Sequence, residues 1–148
     1  MNLFINTKYN LKKETIYTLL NIDSLDINVT QINLADFDNI IRFINNCDSD
    51  VDIELINKIK IYLNDSKLII SLCEIEILNK LCLLYFQGGI FINSNIFITN
   101  VNTLKKIYLD NDLCLVKSCI NNEIFGGIII CKKRNADVLN IIEQSISI

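Results

Sequence analysis

The chain has no histidine, no proline and no tryptophan, and only four glycines among 148 residues. Without histidine, zinc sites with imidazole ligands and Ser-His or Cys-His nucleophilic catalysis are excluded. The cysteines, Cys47, Cys73, Cys82, Cys114, Cys119 and Cys131, form no Cys-x-x-Cys pair, which argues against an all-cysteine zinc site. Most of them sit in apolar runs, where a free thiol behaves as a small hydrophobe, so they read as reduced core residues of a cytoplasmic protein. Long apolar runs are also missing, although 51% of the residues are hydrophobic and mean hydropathy is +0.34. The most apolar stretch, 67–98, is interrupted by Glu74, Glu76, Lys80 and Gln87, short of the ~20 uninterrupted residues that a membrane span needs. The N-terminus lacks a charged segment followed by an apolar one, so no secretory signal is expected. A basic excess is lacking too. The net charge of -3 and pI near 4.9 argue against nucleic acid as a partner. Lys12-Lys13, Lys105-Lys106 and Lys132-Lys133-Arg134 read as solvated patches, the last able to neutralise part of a diphosphate if it lies beside a ligand site.

Isoleucine and asparagine supply about a third of the chain. That bias is expected of an AT-rich genome, such as that of a giant or insect virus, a protist or a low-GC bacterium. The length fits one domain, 1–148, with no repeat or linker to divide it. Apolar periodicity predicts strands at 3–6, 27–34, 90–99, 113–116 and 125–131. It predicts helices at 12–20, 38–45, 52–63 (capped by Asp50 or Asp52), 71–86, 102–109 and 136–146. Strands apolar on both faces and separated by helices imply an α/β layer with a largely parallel sheet.

The segment 84–98, Leu-Tyr-Phe-Gln-Gly-Gly-Ile-Phe-Ile-Asn-Ser-Asn-Ile-Phe-Ile, carries most of the information. Read as a continuous strand after a glycine turn, it points Asn93 and Asn95 to one face and Ser94 to the other. Two amides aimed at one spot suit a ligand site; in so asparagine-rich a chain they also fit plain polar strand positions. Gly88 and Gly89 serve as a helix stop or as part of a sugar site. Glu76 and Lys80, four residues apart on a helix, fit a solvated ion pair. Asn121 and Asn122 could line a site, or cap a turn before the 125–131 strand.

The same segment resembles the motif Leu-Tyr-x-x-Gly-Gly-Ile-Tyr-x-Asp-x-Asp of DXD-type glycosyltransferases with the GT-A fold. The likeness is to the family of the yeast initiating α-1,6-mannosyltransferase and to capsular-polysaccharide transferases. It extends to the opening strand, to 26–37, and to 120–133 with its Gly126-Gly127. It implies a GT-A-like (Rossmann-like), mostly parallel sheet flanked by helices and truncated at the C-terminus. It also implies a donor site for a nucleotide sugar (a UDP- or GDP-sugar) that includes Ile77, Lys80, Gly88, Gly89, Asn93, Asn95, Asn121 and Asn122. In that family the two aspartates bind Mn²⁺ or Mg²⁺, which holds the diphosphate; here Asn93 and Asn95 stand at those positions and keep only neutral carbonyls. The helix of the family carries Asp-x-x-Arg where this chain has Ile77 and Lys80, and lysine keeps the charge but not the planar fork. A hexosyltransferase with weakened or lost activity is expected, a pseudoenzyme, or else a non-catalytic binding or interaction module on the same scaffold. An apolar surface uncovered by the shorter scaffold would favour a homo-oligomer.

Overall fold

A computed structural model describes residues 1–6, 27–47, 50–96 and 98–147. The helix expected at 12–20 lies outside them. Among the described residues five strands form one sheet: β1 (Asn2–Asn6), β2 (Asn28–Ile32), β3 (Gly89–Ile92), β4 (Leu113–Lys117) and β5 (Ile124–Cys131). Their order is β2-β1-β3-β5-β4. β1 pairs in parallel with both β2 and β3, whereas β5 runs antiparallel to β3 and to β4. Four strands therefore share one direction and β5 is reversed, so the largely parallel sheet expected is a mixed one. Strands that are apolar on both faces carry no mark of direction, which is why the reversal was not expected.

Alternation along each strand divides the core in two. Phe4, Phe91, Ile129 and Cys131 face the larger layer, made by α1 (Phe37–Cys47), α2 (Ile53–Leu63), α3 (Leu72–Gln87) and α5 (Ala136–Ile146). Leu3, Ile5, Ile90, Ile92 and Ile130 face the other side, where Leu104 and Ile107 of α4 (Val101–Asp110) pack. The result is a sheet with helices on both faces.

The centre of the larger layer is α3. Ser71 starts it with a capping box: its hydroxyl accepts from the Glu74 amide at 3.2 Å, and the Glu74 carboxylate accepts from the Ser71 amide at 2.7 Å. From Leu78 to Phe86 every residue is buried. Gly88 ends the helix at φ +62°, and a side chain there would press on the Lys133 backbone nitrogen at 2.6 Å; one at Gly89 would run into the Asn2 carbonyl. Asp52 caps α2 through the Leu55 amide, one of the two residues expected there.

Two expectations are corrected. β3 ends at Ile92 instead of continuing to residue 99. The Asn93 amide still donates to the Gly127 carbonyl at 2.8 Å, but the Ile96 amide then closes a turn onto the Asn93 carbonyl at 3.1 Å. Asn-Ser-Asn is itself a turn-forming sequence, and its local chemistry overrides the apolar residues around it. The cysteines also divide: Cys82 and Cys131 are buried, Cys114 is half-buried, and Cys47, Cys73 and Cys119 are exposed, all as free thiols.

Candidate functional site

A cavity of about 550 Å³ opens where the parallel strands end. Its floor comes from Asn6 at the end of β1, Leu34 just beyond β2, and Asn93, Ser94 and Asn95 beyond β3. Its walls are the start of β5, Phe125 to Gly127, and one stripe of α3: Cys73, Glu76, Ile77 and Lys80. Those four helical positions are spaced three, four and seven residues from the first, so they share a face. Glu76 therefore shares the wall with Ile77.

Asn6 and Leu34 of the floor are tied to each other and to α3. The Asn6 side-chain Oδ1 accepts from the Leu34 amide at 3.4 Å, while the Asn79 side chain donates to the Leu34 carbonyl at 2.6 Å. The turn after β2 is thereby fixed to β1 and α3 together. Because β3 ends early, Asn93, Ser94 and Asn95 all line the cavity, and the expected division of their faces does not occur. Ser94 is buried, Asn93 half-buried and Asn95 exposed.

Lys80 is the charged centre. It is only 7% exposed, so it does not form the solvated pair expected with Glu76. Its ammonium donates to the Gly126 carbonyl at 2.7 Å and lies 4.1 Å from the centroid of the Phe91 ring. Burial pulls its pKa below the usual lysine value, with Glu76 and Cys73 acting in the opposite sense. Gly127 makes room at the same place, since a side chain there would meet the Phe125 ring and sit 2.9 Å from the Asn93 Nδ2.

Of the residues expected in the site, Ile77, Lys80, Asn93 and Asn95 come together and the others do not. Gly88 and Gly89 lie at the opposite end of the β3–β5 ladder, where Gly89 pairs with Cys131. Asn121 and Asn122 are exposed between β4 and β5, and Asn121 donates to the Glu123 carboxylate at 2.8 Å. Lys132, Lys133 and Arg134 form the turn from β5 into α5, away from the cavity. Sequence reasoning passed over Asn6, Cys73, Ser94 and Phe125. A glycine pair within an apolar strand was the available signal for the β5 wall, because such glycines mark a close approach.

The donor set does not suit a divalent cation. Magnesium and manganese favour anionic oxygen ligands, and among the described residues this cavity offers one carboxylate, Glu76, beside neutral amides and a lysine ammonium. Among the described residues no three His, Cys, Asp or Glu side chains gather as a metal site, and no helix is long and apolar enough to cross a membrane. Comparison with family models, curated proteins and solved structures found no match to the chain.

Proposed function

We propose that this cavity is the ligand site of a GT-A-like nucleotide-sugar scaffold in which metal-dependent glycosyl transfer is weakened or lost. The reading rests on the meeting of Ile77, Lys80, Asn93 and Asn95 around one cavity at the carboxyl ends of β1 to β3. β1 lies between β2 and β3, so successive strands are added on opposite sides of it. In open α/β sheets ligands settle in the crevice at such a point. The cavity volume of about 550 Å³ falls within the ~300–1,000 Å³ common for small-molecule sites. Replacing two carboxylates by amides removes the charge that would hold Mn²⁺ or Mg²⁺ against a diphosphate, which accounts for the weakened transfer. The six free thiols fit a reducing, cytoplasmic setting.

Thermal unfolding with UDP- and GDP-sugars, in Mn²⁺ and in EDTA, tests the proposal. Stabilisation that is indifferent to Mn²⁺, with no turnover, is expected, and Asn93→Asp with Asn95→Asp should make it Mn²⁺-dependent. A large Mn²⁺-dependent shift in the unaltered protein would contradict the loss of metal chemistry. No shift with any nucleotide sugar would remove the nucleotide-sugar reading.

A second reading, an interaction module, is favoured by the exposed apolar side chains Ile61, Ile69 and Leu72, of which Ile69 is fully open to solvent. Self-association through such residues would appear as a concentration-dependent mass in sedimentation, reduced by Ile69→Ser.

A further inference from the structure

We infer that the cavity takes a phosphate group directly, without a divalent cation, on the Lys80 ammonium and the Asn93 side-chain amide. The inference deepens the proposed function and rests on its claim that the cavity holds a ligand, but not on the ligand being a nucleotide sugar.

The argument is one of donor chemistry. A carboxylate can only accept hydrogen bonds, so a pair of aspartates meets a phosphate through a bridging cation. An asparagine has two N–H donors and can meet phosphate oxygen itself. Lysine adds a full positive charge and three donors, of which the Gly126 carbonyl takes one, at 2.7 Å.

Geometry brings the two groups to the same wall. Lys80 bonds to Gly126, and the Asn93 Nδ2 lies 2.9 Å from where a side chain on the next residue, Gly127, would begin. A side chain at Gly126 would stand in van der Waals contact with the Lys80 Nζ, at 3.8 Å, so the ammonium lies directly against this glycine. The Asn93 backbone amide is already used by the Gly127 carbonyl, at 2.8 Å, which fixes the position from which its side chain reaches. Lys80 is held in a low-dielectric wall against Phe91, where its charge acts more strongly than it would in bulk water.

Glu76 lines the same cavity and opposes an anion, and this supplies a test in the direction of gain. The probes are inorganic pyrophosphate and UDP, titrated calorimetrically in EDTA at constant ionic strength. Pyrophosphate should bind in EDTA, and added Mg²⁺ should not tighten it. Lys80→Met should weaken binding tenfold or more, with Lys80→Arg retaining most of it. Asn93→Asp should weaken it to a similar extent, and it provides the same information if Lys80→Met fails to fold. Glu76→Gln should tighten binding several-fold.

Binding of either probe that requires Mg²⁺ or Mn²⁺ would overturn the inference while leaving the cavity a ligand site. Pyrophosphate binding that is unchanged by both Lys80→Met and Asn93→Asp would overturn it as well, as would no binding of either probe. If pyrophosphate and UDP bind in EDTA but UDP- and GDP-sugars do not, the direct phosphate contact stands and the nucleotide-sugar reading falls.

Discussion

The two Gly-Gly pairs of this chain sit at opposite ends of the β3–β5 ladder and do opposite work. At Gly88-Gly89 an added side chain would strike backbone, the Lys133 nitrogen at one position and the Asn2 carbonyl at the other, and both glycines have positive φ. Backbone cannot give way, so this pair lets helix, strand and turn close on one another. At Gly126-Gly127 an added side chain would meet side-chain groups instead: the Lys80 Nζ, the Phe125 ring and the Asn93 Nδ2. That pair keeps space open in front of polar groups.

The basic residues follow the same division. Arg134 belongs to the closed end: its amide donates to the Tyr85 carbonyl at 2.7 Å, its guanidinium reaches the Asp50 carbonyl, and it lies 5.3 Å from the Phe86 ring centroid. The most basic run in the sequence thus ties α3 to the β5–α5 turn, while at the open end the buried Lys80 supplies the positive charge.

The largest expected effect comes from breaking the closed end. Gly89→Ala should cost about 3 kcal/mol, because strained φ and a backbone clash act together. Urea unfolding measures it, and a cost below about 1 kcal/mol would remove the distinction between the pairs.

Alkaline pH should separate the two ends next. Burial pushes the Cys82 thiol up to about 12 and the Cys131 thiol, opposite Gly89, up to about 11, from an ordinary 9.0. The unfolded chain ionises near pH 9 while the folded chain keeps both protons. Stability is therefore complete below pH 9 and falls above it, by about 1.4 kcal/mol per pH unit for Cys82. Lys80 works in the other direction. Its folded pKa lies below 10.5, so the cost of burying its charge applies below that lowered value and is relieved as pH rises through it. Denaturant midpoints between pH 8 and 10.5 should fall less steeply in Cys82→Ala and more steeply in Lys80→Met.

Ser71→Ala should cost about 1 kcal/mol by removing the cap of the helix that joins the two ends. Gly126→Ala is expected to have the smallest effect, within about 0.5 kcal/mol of the unaltered protein. Its nearest new contact, at 3.8 Å, is ordinary packing against Lys80. A large loss of stability in Gly126→Ala would place both pairs in the same structural class.

Much of the fold was legible in the sequence. The 136–146 helix has the expected bounds, and the apolar run stopped by Gly88-Gly89 gives α3 to within a residue at each end. Strand direction was not legible, because β5 is as apolar as its parallel neighbours. The site was legible in part. Strand alternation singled out Asn93 and Asn95, and the resemblance added Ile77 and Lys80, but an extended reading of Asn-Ser-Asn hid Ser94 from the cavity. The stripe Cys73, Glu76, Ile77 and Lys80 could have been found from helical spacing. The charge state of the site depended on burial of Lys80, which no local pattern reveals.

Amide chemical-shift mapping with UDP in EDTA tests the central claim most directly, because it reads both ends of the ladder in one titration. Shifts gathered at Lys80, Asn93 to Asn95 and Gly126-Gly127, with Gly88-Gly89 and Lys132 to Arg134 unmoved, are predicted. Shifts centred on Lys132 to Arg134 and the start of α5, with the cavity residues silent, would contradict the account.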